Sequence, residues 1–274
     1  MNLCSPTMAV VEYEKQGYVA RITLNRPESR NALSPEVMCR LADAWDEVQN
    51  DDEVRVAVIT GAGTVFCAGA DLARLITLAT KSRQPEDEWD NRYLADKTTG
   101  DRALLRVSDL DKPVIAAING TAVAGGCELV QGTDIRVAVT TARFGVQEVQ
   151  RALFPGGGSS VRLPVQLPYA VAMEWLLTGE LVSAARAYEL GFVNRVVPVE
   201  QVVPEAMAIA ERIAANGPVA VRAIKASAKA CLGLPEREAM DVEARHAAPV
   251  FRSRDAIEGP KAFMEKRPPV YEGR

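Results

Sequence analysis

Residues 119–134 read NGTAVAGGCELVQGTD, and the strand-like run PVIAAI (113–118) leads into them. The order is strand, Asn-Gly turn, small residues, the pair Gly125-Gly126, then an apolar segment opening at Cys127. Two residues without a Cβ let a backbone come close to a ligand. A helix over 127–131 leaves the amides near Gly125 unpaired at its positive end. Such amides suit an anion or a developing oxyanion. Glu128 follows three residues later, within about one helical turn. Taken alone, the stretch also reads as a glycine turn, a buried helix and a solvent-facing glutamate.

The rest of the 274 residues narrows the chemistry. With 48% hydrophobic and 25% charged residues, the composition is that of a soluble protein with ample core. A net charge of −4 argues against general binding to nucleic acid or a membrane surface. The five cysteines (Cys4, Cys39, Cys67, Cys127, Cys231) form no Cys-x-x-Cys and fit a reducing compartment. The first residues, MNLCSPTMAV, lack the pattern of a signal peptide, and no stretch has the length of a membrane span. The expected location is the cytoplasm. A single histidine, His246, rules out a His-rich metal site and leaves acid-base chemistry to carboxylates.

Outward from the central stretch, residues 10–14 and 18–24 alternate as two strands of a hairpin. The loop 25–33 carries Arg26 and Arg30, and Ser34-Pro35 opens a helix to about residue 49. Residues 55–60 form a buried strand. Gly61-Ala-Gly63 invites a dinucleotide reading, but Phe66 stands where the third glycine belongs. Residues 66–72 (FCAGADL) read as a turn of small residues entering a helix, with Asp71 as N-cap and free amides around 68–70. Residues 80–101 read as a charged loop with a helical piece, followed by a helix over about 102–110. The GGG of 156–158 looks superficially like a phosphate loop, yet no G-K-[ST] follows. From Pro204 onward the pattern is helical: 205–216, 219–232, 236–251, and a last helix opening on an acidic capping box, Asp255 to Glu258.

Five stretches in order resemble the crotonase superfamily of enoyl-CoA hydratases and isomerases. They are ITLNRPESRNALS (22–34), VAVITGAGTVFCAGADL (56–72), KPVIAAINGTAVAGGCELVQGTDIRVA (112–138), ARFGVQEVQRALFPGGGSSVRLP (142–164) and SRDAIEGPKAFMEKRPPVYEG (253–273). The resemblance covers nearly the whole chain. It implies a crotonase/ClpP-like α/β fold, a spiral of stacked ββα turns. The expected organisation is a core over 1–200 with the acyl-CoA site, and a helical region over 201–274 that builds a homotrimer or a hexamer of paired trimers.

The same resemblance implies an oxyanion hole from the amides of Ala70 and Gly125. It implies two catalytic glutamates, Glu128 and Glu148, one activating water for attack at C3 and the other managing the proton at C2. Coenzyme A is expected near Arg26, Ala68, Ala70, Asp71 and Leu72, with Phe263 and Lys266 reaching it from a neighbouring subunit. It enters as part of the substrate, and no metal, nicotinamide or flavin is implied. Keeping both glutamates favours an enoyl-CoA hydratase. Δ3-Δ2-Enoyl-CoA isomerisation, another crotonase reaction and a non-catalytic acyl-CoA-binding role are the alternatives. Gln147, Gln131 and Thr133 depart from the commoner hydratase residues.

Overall fold

The computed structural model describes residues 9–106 and 110–274. Cys4 and residues 107–109 of the expected 102–110 helix lie outside the described residues; before them the helix ends at Ala103, and the chain turns at Leu104 and Leu105 (φ 53°). Val11–Gln16 (β1) and Val19–Leu24 (β2) pair antiparallel, with Val11 opposite Leu24. From β2 onward the sheet is parallel: Val56–Gly61 (β3), Val114–Ile118 (β5), Ile135–Val139 (β7) and Arg195–Val197 (β10) follow in the order β1-β2-β3-β5-β7-β10. β3 and β5 are buried along their whole length, as strands covered on both faces must be.

A second sheet stands beside the first. Its strands are Val65–Cys67 (β4), Thr121–Val123 (β6), Arg143–Gly145 (β8) and Val182–Ser183 (β9), in that order. From β3 to β8 each coil of the chain lays one strand in the large sheet and the next in the small one, then returns through helix. This is the crotonase-type spiral of ββα turns. The short strands β4, β6 and β8 occupy segments that read as turns and small-residue runs. At three residues each they carry no alternation long enough to register.

The helices are Pro35–Asn50 (α1), Thr77–Ala79 (α2), Glu88–Ala95 (α3), Thr99–Ala103 (α4), Gly125–Gln131 (α5), Ser159–Gln166 (α6), Tyr169–Thr178 (α7), Ala184–Glu189 (α8), Val199–Ala214 (α9), Pro218–Ala230 (α10), Glu236–Phe251 (α11) and Asp255–Met264 (α12). Ser34 caps α1 by accepting from Val37 N–H at 3.3 Å. Asp71 caps a π-helical turn, Leu72–Ile76, that leads into α2. The segment 80–101 is more ordered than its charge suggests, since α3 and the start of α4 occupy it.

α9 starts before Pro204, which stands inside the helix in its second turn rather than ahead of it. It packs across β2, β3, β5 and β7, so the packed core extends past residue 200. The acidic capping box at 255–258 is corrected. The Ser253 hydroxyl accepts the Ala256 N–H at the start of α12. Asp255 instead accepts the amides of Glu272 and Gly273 at 2.7 and 3.0 Å, and Glu258 accepts Arg267 and the amide of Val270. Among the described residues, no helix is long and apolar enough to cross a membrane.

Candidate active site

The small sheet delivers two glycine-rich turns to one place. After β4 the chain bends at Gly69 (φ 87°) and Ala70 forms an isolated parallel bridge with Leu33, in which Leu33 N–H donates to Gly69 C=O (2.8 Å) and Asp71 N–H to Leu33 C=O (3.0 Å). Backbone groups alternate in direction along an extended chain, so the Ala70 N–H points away from Leu33. After β6, Ala124 N–H donates to Gly145 C=O at 2.8 Å, and Ala124 itself takes φ 50°, ψ −130°. This region is sparsely populated by residues with a Cβ. It turns the next peptide so that Gly125 opens α5 with its N–H at the free end of the helix. Among the described residues, neither the Ala70 nor the Gly125 amide has a protein acceptor.

Glycine is required here by contact between the turns. A Cβ on Gly69 would lie 2.6 Å from Ala124 Cβ, and one on Gly126 2.4 Å from Cys67 C=O. A Cβ on Gly125 would lie 3.6 Å from Ala70 N, which places the two free amides side by side. They border a cavity of about 480 Å³. Leu33, Met38, Leu75, Ile76, Tyr93 and Leu104 supply apolar wall, and Glu128 and Glu148 both face into it.

Glu128 sits one turn into α5, a helix buried throughout, and is itself 3% exposed. The reading of a solvent-facing glutamate is therefore wrong. Its carboxylate meets the 156–158 glycine loop instead. Ser159 N–H, at the start of α6, donates to Glu128 Oε1 at 3.2 Å, and the Gly157 N–H also favours the charged form. A Cβ on Gly157 would fall 2.5 Å from Glu128 Oε2, and Gly158 turns the chain at φ 117°. The loop thus cradles an anion, and the anion is a side chain of the protein. Arg162, on α6, donates to the carbonyls of Glu128, Leu104 and Leu105. Burial pushes the Glu128 carboxyl up, while the Ser159 and Gly157 donors and the Arg162 charge pull against it.

Glu148 lies in a 3₁₀ turn, Gln147–Arg151, directly after β8. Its Oε2 is buried and has no protein hydrogen-bond partner among the described residues. Burial, and then the charge of Glu128, push its carboxyl up to about 7. The two glutamates therefore differ in kind: one is gripped by the N–H donors of a neighbouring loop, the other has one buried oxygen unpaired and holds its proton near neutrality.

The residues expected around coenzyme A divide into three groups. Ala68, Ala70 and Leu72 line the cavity. Arg26 and Asp71 do not, and they pair with each other at 3.3 Å, with Arg26 also donating to Ala32 C=O at 2.8 Å. Phe263 and Lys266 are exposed at the end of α12 and do not line the cavity of their own chain. The sequence reading did not single out Gly157, Ser159 or Arg162. Its only signal for them was the glycine triplet ahead of the amphipathic run SSVRLPVQ. Among the described residues, no group of three or more His, Cys, Asp or Glu side chains could hold a metal ion.

The family described as enoyl-CoA hydratase/isomerase matches residues 14–274. The chain belongs to that family. It is 45% identical over 262 residues to the enoyl-CoA hydratase EchA19 of Mycobacterium tuberculosis, covering 95% of this chain and 96% of that one. It is 38% identical to the (E)-benzylidenesuccinyl-CoA hydratase of Thauera aromatica, covering 96% and 99%. Among solved structures, an enoyl-CoA hydratase/isomerase from Mycobacterium abscessus superposes with a TM-score of 0.85 at 43% identity, covering 96% of this chain and 99% of that one.

Proposed function

We propose that this member of the family adds water across the 2,3 double bond of a 2-enoyl-CoA thioester. The observation that carries the reading is the convergence of Glu128 and Glu148 on the cavity that the Ala70 and Gly125 amides border. The thioester oxygen takes both N–H groups, which stabilise the enolate that forms as C3 is attacked; one such donor contributes about 3 kcal/mol. Glu128, whose charged form is supported by its N–H donors, takes the proton of the attacking water. Glu148, protonated near neutrality, delivers a proton to C2. Water is added and nothing is oxidised, so the reaction balances with coenzyme A serving only as part of the substrate.

Ala68, Ala70 and Leu72 would lie along the pantetheine, with the Arg26–Asp71 pair beyond them and Phe263 and Lys266 of the partner subunit closing over the nucleotide. That last contact requires the α10–α12 region to assemble subunits into a trimer or a hexamer. The reduced thiols of Cys39, Cys67, Cys127 and Cys231 agree with action in the cytoplasm.

The test is hydration of crotonyl-CoA and longer 2-enoyl-CoA esters, followed as loss of conjugated thioester absorbance. Glu128→Gln and Glu148→Gln should each lower kcat by roughly 10²- to 10⁴-fold. For the parent, kcat/KM should be bell-shaped in pH. It rises as Glu128 loses its proton and falls as pH passes about 7, where Glu148 loses its own. Conversion of a 3-enoyl-CoA without hydration of any 2-enoyl-CoA would overturn the reading in favour of an isomerase. Inertness toward both would assign the site to another reaction or to binding alone.

A further inference from the structure

α6 carries the side chain that ties the cavity wall to α5. Arg162 is half-buried, and burial pushes its guanidinium pKa down. Among the described residues its hydrogen bonds go to backbone carbonyls and to no carboxylate. Nη1 donates to Leu104 C=O and to Glu128 C=O, each at 3.3 Å, and Nη2 donates to Leu105 C=O. A guanidinium only donates and a carbonyl only accepts, so the direction of all three bonds is fixed. Its planar fork reaches several acceptors at once, which a point charge on a flexible stem does not.

The three carbonyls come from two separate segments. Leu104 and Leu105 form the turn that follows α4, and Leu105 takes φ 53°, a conformation that leucine keeps only where its surroundings hold it. The Glu128 carbonyl belongs to the last turn of α5, where it also accepts Gly132 N–H at 3.2 Å. Gly132 leaves the junction no slack. A Cβ there would lie 2.9 Å from Leu105 Cβ and 3.1 Å from both Arg162 Nη1 and Leu104 C=O. The side chains of the two segments meet as well. A Cβ on Gly157 would fall 2.5 Å from Glu128 Oε2 and 2.7 Å from Leu104 Cδ1. The Leu104 methyl and the Glu128 carboxylate therefore flank one point, and both residues line the cavity.

We propose that Arg162 is a positioning residue that sets Leu104 and Glu128 as one unit: its guanidinium locks the cavity wall onto the backbone of the helix that carries the carboxylate, so the same three bonds bound the acyl group and aim the base. The effect on hydration rests on the function proposed above; the clamp itself does not.

The test compares the full-length parent with Arg162→Met and Arg162→Lys. Backbone hydrogen exchange, read by mass spectrometry, reports the clamp without any substrate. Arg162→Met should exchange faster over residues 104–106 and over α5, with β3 and β5 unchanged. Faster exchange confined to 104–106 would overturn the clamp, and so would an increase that spreads through β3 and β5. With crotonyl-CoA, Arg162→Met should lower kcat by up to about 10²-fold, the cost that a displacement of about 1 Å can carry. Arg162→Lys keeps the charge but loses the fork, and it should fall with Arg162→Met. Parental kcat in the lysine variant would reduce Arg162 to a charge beside Glu128 and overturn the proposal. Leu104→Ala should lower kcat/KM about tenfold in the parent but little in Arg162→Met, because a wall already freed cannot be lost twice. Equal losses in both backgrounds would overturn the coupling. A parent inert toward every 2-enoyl-CoA would instead sink the proposed function, leaving hydrogen exchange to decide the clamp on its own.

Discussion

Ala124 is the residue on which the oxyanion donors turn. Its φ of 50° is one that alanine adopts at a cost of about 1–3 kcal/mol. Nothing in the letters TAVAGG marks which small residue takes it. Gly125 was legible as a free amide because glycine pairs before a helix have few other uses. Gly157 was not, because its need is spatial: it makes room for a carboxylate that lies 29 residues earlier in the chain. Gly157→Ala should therefore injure catalysis more than folding. The added methyl must push Glu128 Oε2 aside, and a displacement of about 1 Å can cost 10²-fold in rate. Steady-state kcat, with near-ultraviolet circular dichroism to show an intact fold, checks this; parental kcat would mean that the loop simply yields. The burial of Glu128 was equally hidden, since a lone Glu in an apolar helix reads the same whether its tip meets water or a ring of amides.

Among the elements, the long ones were readable and the short ones were not. α1, with a serine cap and apolar positions at helical spacing, ends one residue beyond its expected bound, and α11 matches its expected span. β3 and β5 declare themselves by unbroken apolar runs. The small sheet escapes because its strands are held by neighbours in space and not by local pattern. α12 shows the opposite error, a motif matched in letters whose side chains do something else. Asp255, 6% exposed, clasps the chain end through two amides. The segment is tied again by Arg55, which donates to Tyr271 C=O at 2.9 Å, and by Arg254 N–H, which donates to Arg274 C=O at 2.7 Å. Asp255→Ala should cost about 1–3 kcal/mol, the range for a buried bond to a charged acceptor. The readouts are a lower thermal midpoint and faster carboxypeptidase trimming of the C-terminal segment. An unchanged midpoint with unchanged trimming would show that Arg55 and Arg254 suffice.

For the molecule as a whole, the contrast between α9 and the helices after it predicts assembly. α9 buries Val202, Ala206, Ile209, Ala210 and Ala214 against the large sheet, whereas α10 and α11 bury no residue at all. Ile224, Met240 and Phe251 border an apolar groove of about 510 Å³ between those two helices, and Phe251 is 81% exposed. Apolar surface so gathered marks an interface between proteins. Sedimentation of the purified chain should give three times the monomer mass or a multiple of that, and Phe251→Glu should shift the population to smaller species. A monomer at micromolar concentration would remove the basis for a site shared between subunits.

α3 and α4 belong to neither sheet, and β5 pairs directly beside β3 whatever the length of chain between them. Yet Tyr93, Lys97, Gly100 and Leu104, from this excursion, form part of the cavity wall. Lengthening or shortening it ahead of Leu104, whose carbonyl Arg162 holds together with that of Glu128, would slip no strand and leave both glycine turns in place. Substrate range and bond-making can therefore diverge on separate evolutionary clocks: the excursion is free to be recut for a new acyl group, while the coil hands down the reacting geometry intact.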